Sequence, residues 1–208
     1  MKPNPVKCLF GVKSRKLLEF MISTQGIEIE PYKVKPIQDM PTPKSKREVR
    51  GFLGRLNYIA RFISQMTTTC EPIFWLIQKK NLGVWNEKCQ ETFDNIKRYL
   101  QNLLLLVPPI PGRPLILYLT TNERGMRCVL GQHDEYGMKE RAIYYLSKKF
   151  TYCESRYMTM EKLCCTLIWA IKQLWQYMLY YTIWLISKLD PFGYIFEKPH
   201  LSSRITRW

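Results

Sequence analysis

Side chains able to do chemistry are thinly spread along this sequence of 208 residues. It has two histidines, His133 and His200, and seven cysteines without the paired spacing of a metal site. Cys164 and Cys165 are adjacent in a helical stretch, where neighbouring side chains diverge and cannot hold one ion together. His133 falls in the turn GQHDEYG, a surface position. A histidine-rich zinc site is therefore excluded. The one place with the shape of metal chemistry is LILYLTTNERGMRCVLGQ, residues 115–132. An apolar strand from Leu115 to Leu119 runs into the polar tip Thr120-Thr121-Asn122-Glu123, and a second strand returns through Met126, Val129 and Leu130. In many α/β enzymes such a tip carries an acidic metal ligand at the end of the apolar run; here that place is Thr120.

A second constellation suits phosphates. Ser45 can cap a helix, with Glu48 at the spacing of a capping box. Behind it Val49, Phe52, Leu53, Leu56, Ala60 and Ile63 recur at helical spacing and build one apolar stripe, which predicts a single helix over 45–64. The opposite face carries Arg47, Arg50, Gly54, Tyr58 and Arg61. A mid-helix glycine costs about 1 kcal/mol relative to Ala. It serves either packing within the chain or the close approach of another surface. The formal net charge is +15, and the sequence pI is near 9.6. Residues 1–106 carry 18 Lys and Arg against 9 acids, and residues 107–208 carry 14 against 8. The excess is thus spread over the chain rather than held in one tail, which points to a polyanionic partner, nucleic acid before anionic membrane.

The elements that must position these groups fall into two patterns. Residues 1–30 read as extended segments, KLLEFMIST and IEIE, joined by the Gln25-Gly26 turn. Pro31 opens a short helix, PYKVKPIQDM, which Pro41-Thr42-Pro43 ends. After the helix over 45–64, Thr67 to Gln78 and Glu87 to Gln101 give two more. NLLLLVPPIPGRP, with its four prolines, reads as a linker. Beyond it the strands LILYL, MRCVLGQ and RAIYYLSKKF form an antiparallel meander. A helix from Glu154 to about Tyr180 follows, with Met160, Leu163, Cys164, Leu167, Ile168, Ile171 and Trp175 on one face. A fourth strand, TIWLIS, and a short helix after Asp190-Pro191 complete the order. The apolar run over 163–186 is long enough to span a membrane. Lys172 at its centre costs about 2.5–3.5 kcal/mol there, so an amphipathic helix and a strand explain it better and no membrane partner is expected. The fold class is α+β: a small helical subdomain followed by a mixed sheet with packed helices, in the strand order of the ribonuclease H fold. With reduced thiols and no secretory signal, the expected location is intracellular.

The blocks REVRGFLGRLNYIARFI, WNEKCQETFDNIKRYL, PGRPLILYL and YYLSKKF, followed by E, RY and EK, resemble in order the pol polyprotein of gypsy-type LTR retrotransposons. The resemblance implies four parts. Residues 1–30 are the end of a reverse-transcriptase palm with its primer-contacting hairpin, and 31–106 are a thumb. Residues 107–112 are a linker, and 113–208 an RNase H-like domain cut short at its C-terminal end. It implies binding of RNA–DNA hybrid or DNA duplex, with Arg47, Arg50, Gly54, Tyr58 and Arg61 on the groove-tracking thumb helix. The other implied partner is the rest of the polyprotein. Glu19 stands where the family usually has a glycine in the hairpin, and the palm aspartates would lie before Met1.

The family's RNase H chemistry uses Mg²⁺ held by four acids. By the resemblance the first falls on Thr120, the glutamate on Glu161, where it is kept, and the next aspartate on Lys188; the last lies beyond Trp208. Glu123 and Asp190 stand near but displaced. The resemblance therefore implies no metal or cofactor in this chain, and an ion pair of Glu161 with Lys188 at the shared end of the sheet. Three functions follow: a duplex-binding fragment whose RNase H-like domain serves as a non-catalytic connection, a hybrid ribonuclease with substituted ligands, or a decayed copy.

Overall fold

The computed structural model describes residues 14–17, 20–64, 66–77, 84–101, 105–134 and 136–197. Glu19 and His200 lie outside the described residues. Three short strands come first: β1 (Ser14–Leu17), β2 (Phe20–Ser23) and β3 (Gly26–Ile29), each antiparallel to the last. Gly26 turns the second hairpin at φ 147°, and a Cβ there would meet the Leu106 carbonyl oxygen at 2.3 Å. Only glycine fits. α1 (Pro31–Gln38) follows, with Pro at its first turn, where the missing N–H costs nothing.

α2 (Lys46–Tyr58) starts at Ser45, whose hydroxyl accepts the Glu48 N–H at 3.2 Å, while Glu48 reaches back to the Lys44 N–H at 2.7 Å. The expected single helix over 45–64 is not formed. Ile59 leaves helical geometry at φ −101°, ψ 11°, and Ala60–Phe62 tighten into a 3-10 turn. The reason lies at Phe62. Four residues past Tyr58, it would stand on the exposed face of a continued helix; the tighter turn buries it to 2% exposure against the Phe20 ring. The next helix is also split, into α3 (Met66–Thr69) and α4 (Glu71–Leu76), because Pro72 supplies no N–H and its ring needs a break before it. Gln78 lies outside the described residues. α5 (Glu87–Tyr99) is capped by Asn86 accepting the Cys89 N–H at 2.9 Å.

The linker reading needs correcting in part. Leu105–Leu106 form β4, paired with β3 through Ile27 and Glu28, and so close a first sheet in the order β1-β2-β3-β4. Ile29, Val34, Phe52, Leu56, Phe93 and Leu106 share one core, so the hairpin and the helices fold as one unit. From 107 onward the strap is fixed rather than loose. The Gln132 side chain is buried, accepts the Ile110 N–H at 2.7 Å and donates to the Ile110 and Arg113 carbonyls at 3.0 and 3.1 Å.

The second sheet is β5 (Leu115–Thr121), β6 (Gly125–His133), β7 (Glu140–Lys149) and β8 (Ile183–Ile186), in the order β7-β6-β5-β8. β8 runs parallel to β5, with Leu115 opposite Ile183 and Tyr118 opposite Ile186; the other pairs are antiparallel. A parallel pair needs a crossover, and α6 (Thr159–Tyr180) supplies it. α6 starts later than expected, since Glu154–Arg156 form a separate 3-10 turn. Its buried stripe is Leu163, Leu167, Ala170 and Leu174 against Leu115, Leu117 and Leu119. Ile171 and Trp175, expected on that face, are exposed, since each lies one residue, about 100° of turn, past a member of the buried stripe, Ala170 and Leu174. α7 (Pro191–Glu197) ends the described chain and packs beside α6. No helix among the described residues is long and apolar enough to cross a membrane.

Candidate nucleic-acid interface

Arg47, Arg50, Gly54 and Tyr58 recur at i, i+3, i+7 and i+11 of α2, and all four are exposed. Such spacing aligns side chains in one row. A Cβ on Gly54 would meet nothing within 4 Å, and the same holds for Gly51 one turn earlier. Packing inside the chain therefore does not require either glycine. Gly51 escaped the sequence reading, although its spacing of three from Gly54 was a signal. The charge pattern is also unhelpful to the helix itself. Lys46, Arg47 and Arg50 crowd the positive end of its dipole, where Glu48 is the acid of the first turn. The Lys44 backbone N–H, then the Ser45 hydroxyl, hold the Glu48 carboxyl below its usual range. An external anion would relieve that excess of positive charge.

Tyr58 is 42% exposed and lies flat on Phe20, ring centroids 5.7 Å apart at 7°. Lys33 stands 5.5 Å from the Tyr58 centroid and 5.2 Å from that of Tyr32, and Lys16 stands 4.5 Å from Tyr32. These neighbours come from β1, β2 and α1, and no local pattern announces them. Arg61 is exposed but departs from the row. Beyond Tyr58 the 3-10 turn swings it towards the second sheet, its guanidinium 5.2 Å from the Phe20 centroid and 5.7 Å from that of Tyr144.

The other candidate positions sit at one end of the second sheet. The β5–β8 pairing ends at Tyr118 opposite Ile186; Thr120 and Lys188 each lie two residues beyond that last pair, and both are exposed. The first turn of α6 reaches the same end, since Lys162 Nζ donates to the Glu123 carbonyl at 3.4 Å. Glu161, however, is occupied as a cap: its Oε2 accepts the Met158 N–H at 3.1 Å. The ion pairs of the described residues include Lys148 with Glu154 and Arg124 with Glu71, but not Glu161 with Lys188. The expected pair is thus replaced by a helix cap, which a carboxylate at the third position of a helix makes without crossing space. Nor is Asp190 spare, because its Oδ1 accepts the Phe192 and Gly193 N–H groups at 3.0 and 3.1 Å. With one carboxylate already engaged, a hydroxyl and an ammonium, this donor set does not fit a pair of Mg²⁺ ions. No group of three or more His, Cys, Asp or Glu that could hold a metal occurs among the described residues.

The mixed sheet in the order β7-β6-β5-β8, backed by α6 and joined to a helical unit, falls largely within residues 85–184, which match the family model of the RNase H-like domain found in reverse transcriptase. The chain's relatives are pol polyproteins of LTR transposons. It is 28% identical over 209 residues to the retrovirus-related Pol polyprotein from transposon 412 of Drosophila melanogaster, covering 100% of this chain and 17% of the relative. With that from transposon opus of the same fly it shares 24% over 205 residues, 93% of this chain and 20% of the relative. The chain therefore spans about a fifth of the length of the relatives it matches. Among solved structures, the foamy viral protease-reverse transcriptase in complex with RNA/DNA hybrid superimposes with a TM-score of 0.72 at 21% identity, covering 94% of this chain and 27% of that one. The same protein in complex with dsDNA gives 0.72 at 20% identity over 95% of this chain and 42% of that one. At that identity the likeness is one of fold.

Proposed function

We propose that this chain binds RNA–DNA hybrid or DNA duplex through the exposed face of α2, and that its RNase H-like domain is a non-catalytic connection within a pol polyprotein. The observation that carries the reading is Gly54, flanked by exposed Arg50 and Tyr58 with open space where a side chain would be. Glycine there is unfavourable to the helix and useless to the core, so its value lies in what approaches from outside. Arginines either side hold phosphates, the tyrosine edge lies against sugars, and the bare backbone lets the groove close in. The foamy viral protein of the same fold is described with hybrid and with dsDNA, which supports this partner class. The engaged Glu161 and the Lys188 ammonium support the non-catalytic connection.

The test is Gly54→Leu. A leucine is a better helix former than glycine by close to 1 kcal/mol, so the variant should melt slightly higher than the parent. Its affinity for a hybrid duplex should nevertheless fall by about tenfold or more, the effect of roughly 1.4 kcal/mol of lost contact. An unchanged affinity would remove the groove-tracking role.

A further inference from the structure

Arg61 occupies an unusual position between the two halves of the molecule. Its guanidinium lies 5.2 Å from the ring of Phe20, which packs on the first core, and 5.7 Å from the ring of Tyr144, which packs on the second. Both distances are those of a cation attracted to an aromatic face. The turn that presents Arg61 is itself held: the Tyr99 hydroxyl donates to the Phe62 carbonyl at 3.2 Å and accepts the Ser64 N–H at 3.4 Å. Nearby, the Thr67 hydroxyl donates to Ser147 at 2.9 Å. A second arginine works in the opposite direction. Arg124, from the turn between β5 and β6, pairs with Glu71 and stands 5.5 Å from the Trp75 centroid of α4. A cleft of about 350 Å³ lies along this seam, lined by residues that include Ala60, Met66, Phe74, Ser147 and Lys148. Ala142 and Tyr145 of β7 also pack against the first core, so the polar and cation–ring contacts pin the seam beside apolar packing and around the gap.

We infer that Arg61 is a positioning residue: by bridging Phe20 and Tyr144 it fixes the angle at which the α2 face is carried relative to the RNase H-like sheet, and it does not neutralise a phosphate. The inference rests on the duplex-binding reading for its consequence, but the contact itself is independent of any ligand. Burial raises the Tyr177 phenol pKa; Tyr144 adds to the rise, whereas the Arg61 charge opposes it, so Arg61 is felt inside the second half as well. A lysine in its place would keep the charge and lose the flat guanidinium that two rings can share.

The experiment is duplex binding against salt concentration for Arg61→Met, Arg61→Lys, Tyr144→Phe and, as a comparator, Arg50→Met. Each phosphate contact contributes close to 0.9 to the slope of log affinity against log salt. Arg50→Met should lower that slope by about 1. Arg61→Met and Arg61→Lys should weaken binding alike, by about threefold to tenfold, with the slope unchanged, and Tyr144→Phe should bind as the parent does. The inference is overturned if Arg61→Met lowers the slope as Arg50→Met does while Arg61→Lys restores it, or if Arg61→Met leaves affinity untouched. Should Arg50→Met also leave slope and affinity unchanged, it is the duplex reading that fails. The clasp then stands or falls on thermal unfolding: Arg61→Met should lower Tm by about 2 °C in the parent and by about half of that in a Tyr144→Leu background, where the Phe20 contact alone remains. Equal shifts in both backgrounds would show that the two residues do not interact.

Discussion

At the scale of single residues, the proposal of a non-catalytic domain rests on the end of β5. Thr120 is exposed there, Lys188 is exposed two residues past β8, and the Glu161 carboxylate is bound to the Met158 N–H. An ammonium beside the place of a divalent ion repels it, and a carboxylate capping its own helix must break that bond before it can ligate. No cleavage of the RNA strand of a hybrid is expected with Mg²⁺ or Mn²⁺. Thr120→Asp with Lys188→Asp is expected to give weak Mg²⁺ binding by titration calorimetry and no full nuclease activity. Metal-dependent cleavage by the unaltered chain, abolished by Glu161→Gln, would reverse this conclusion.

At the scale of elements, two features carry more weight than their size suggests. The strap over 107–113 lacks regular structure, yet the buried Gln132 amide pairs with it through three hydrogen bonds. Gln132→Ala leaves those backbone groups without a partner in a site closed to solvent. It should destabilise the chain by about 2–4 kcal/mol, seen as a drop in the denaturant midpoint. Gln132→Glu should be almost as damaging, because the carboxylate keeps an acceptor and loses both donors. A loss below half a kcal/mol for either would mean that the strap is not held by this side chain. The second feature is the break after Tyr58. It separates the face of α2, which looks outward, from Arg61, which looks across the seam.

At the scale of the whole molecule, apolar surface is distributed unevenly. Trp175, Leu179, Trp184, Ile186, Phe192 and Phe196 are all exposed, and they come from the end of α6, from β8 and from α7. Trp169, by contrast, packs on the second core. β8 is also the last strand of its sheet, with one backbone edge unpaired among the described residues. An exposed strand edge beside large apolar side chains favours self-association. The chain alone is expected to scatter light at micromolar concentration. Trp184→Lys, which puts a charge on the exposed face of the edge strand, should suppress that scattering with less than about 1 °C change in Tm. A parent chain that elutes as a single monomer would count against it.

Local sequence determined a good deal. The Ser45 cap, the row Arg47, Arg50, Gly54 and Tyr58, the antiparallel meander and the parallel return of β8 were all readable, because each follows from spacing within a few residues or from a known order of elements. Tertiary structure decided the rest. Arg61 left the row because Phe62, one residue on, is buried beside Phe20, forty-two positions earlier in the chain. Leu105 and Leu106 became a strand because β3 offered an edge, and Trp175 is exposed because its neighbour Leu174 is the residue that faces the core. Glu161 turned to its own helix terminus, where the Met158 N–H lies within reach, instead of across the sheet end to Lys188. Periodicity assumes a uniform advance of about 100° per residue and a solvent on one side. Where a distant segment of the chain replaces that solvent, as Phe20 does beside Phe62, the energy of burying one ring outweighs the regularity of the helix that carries it.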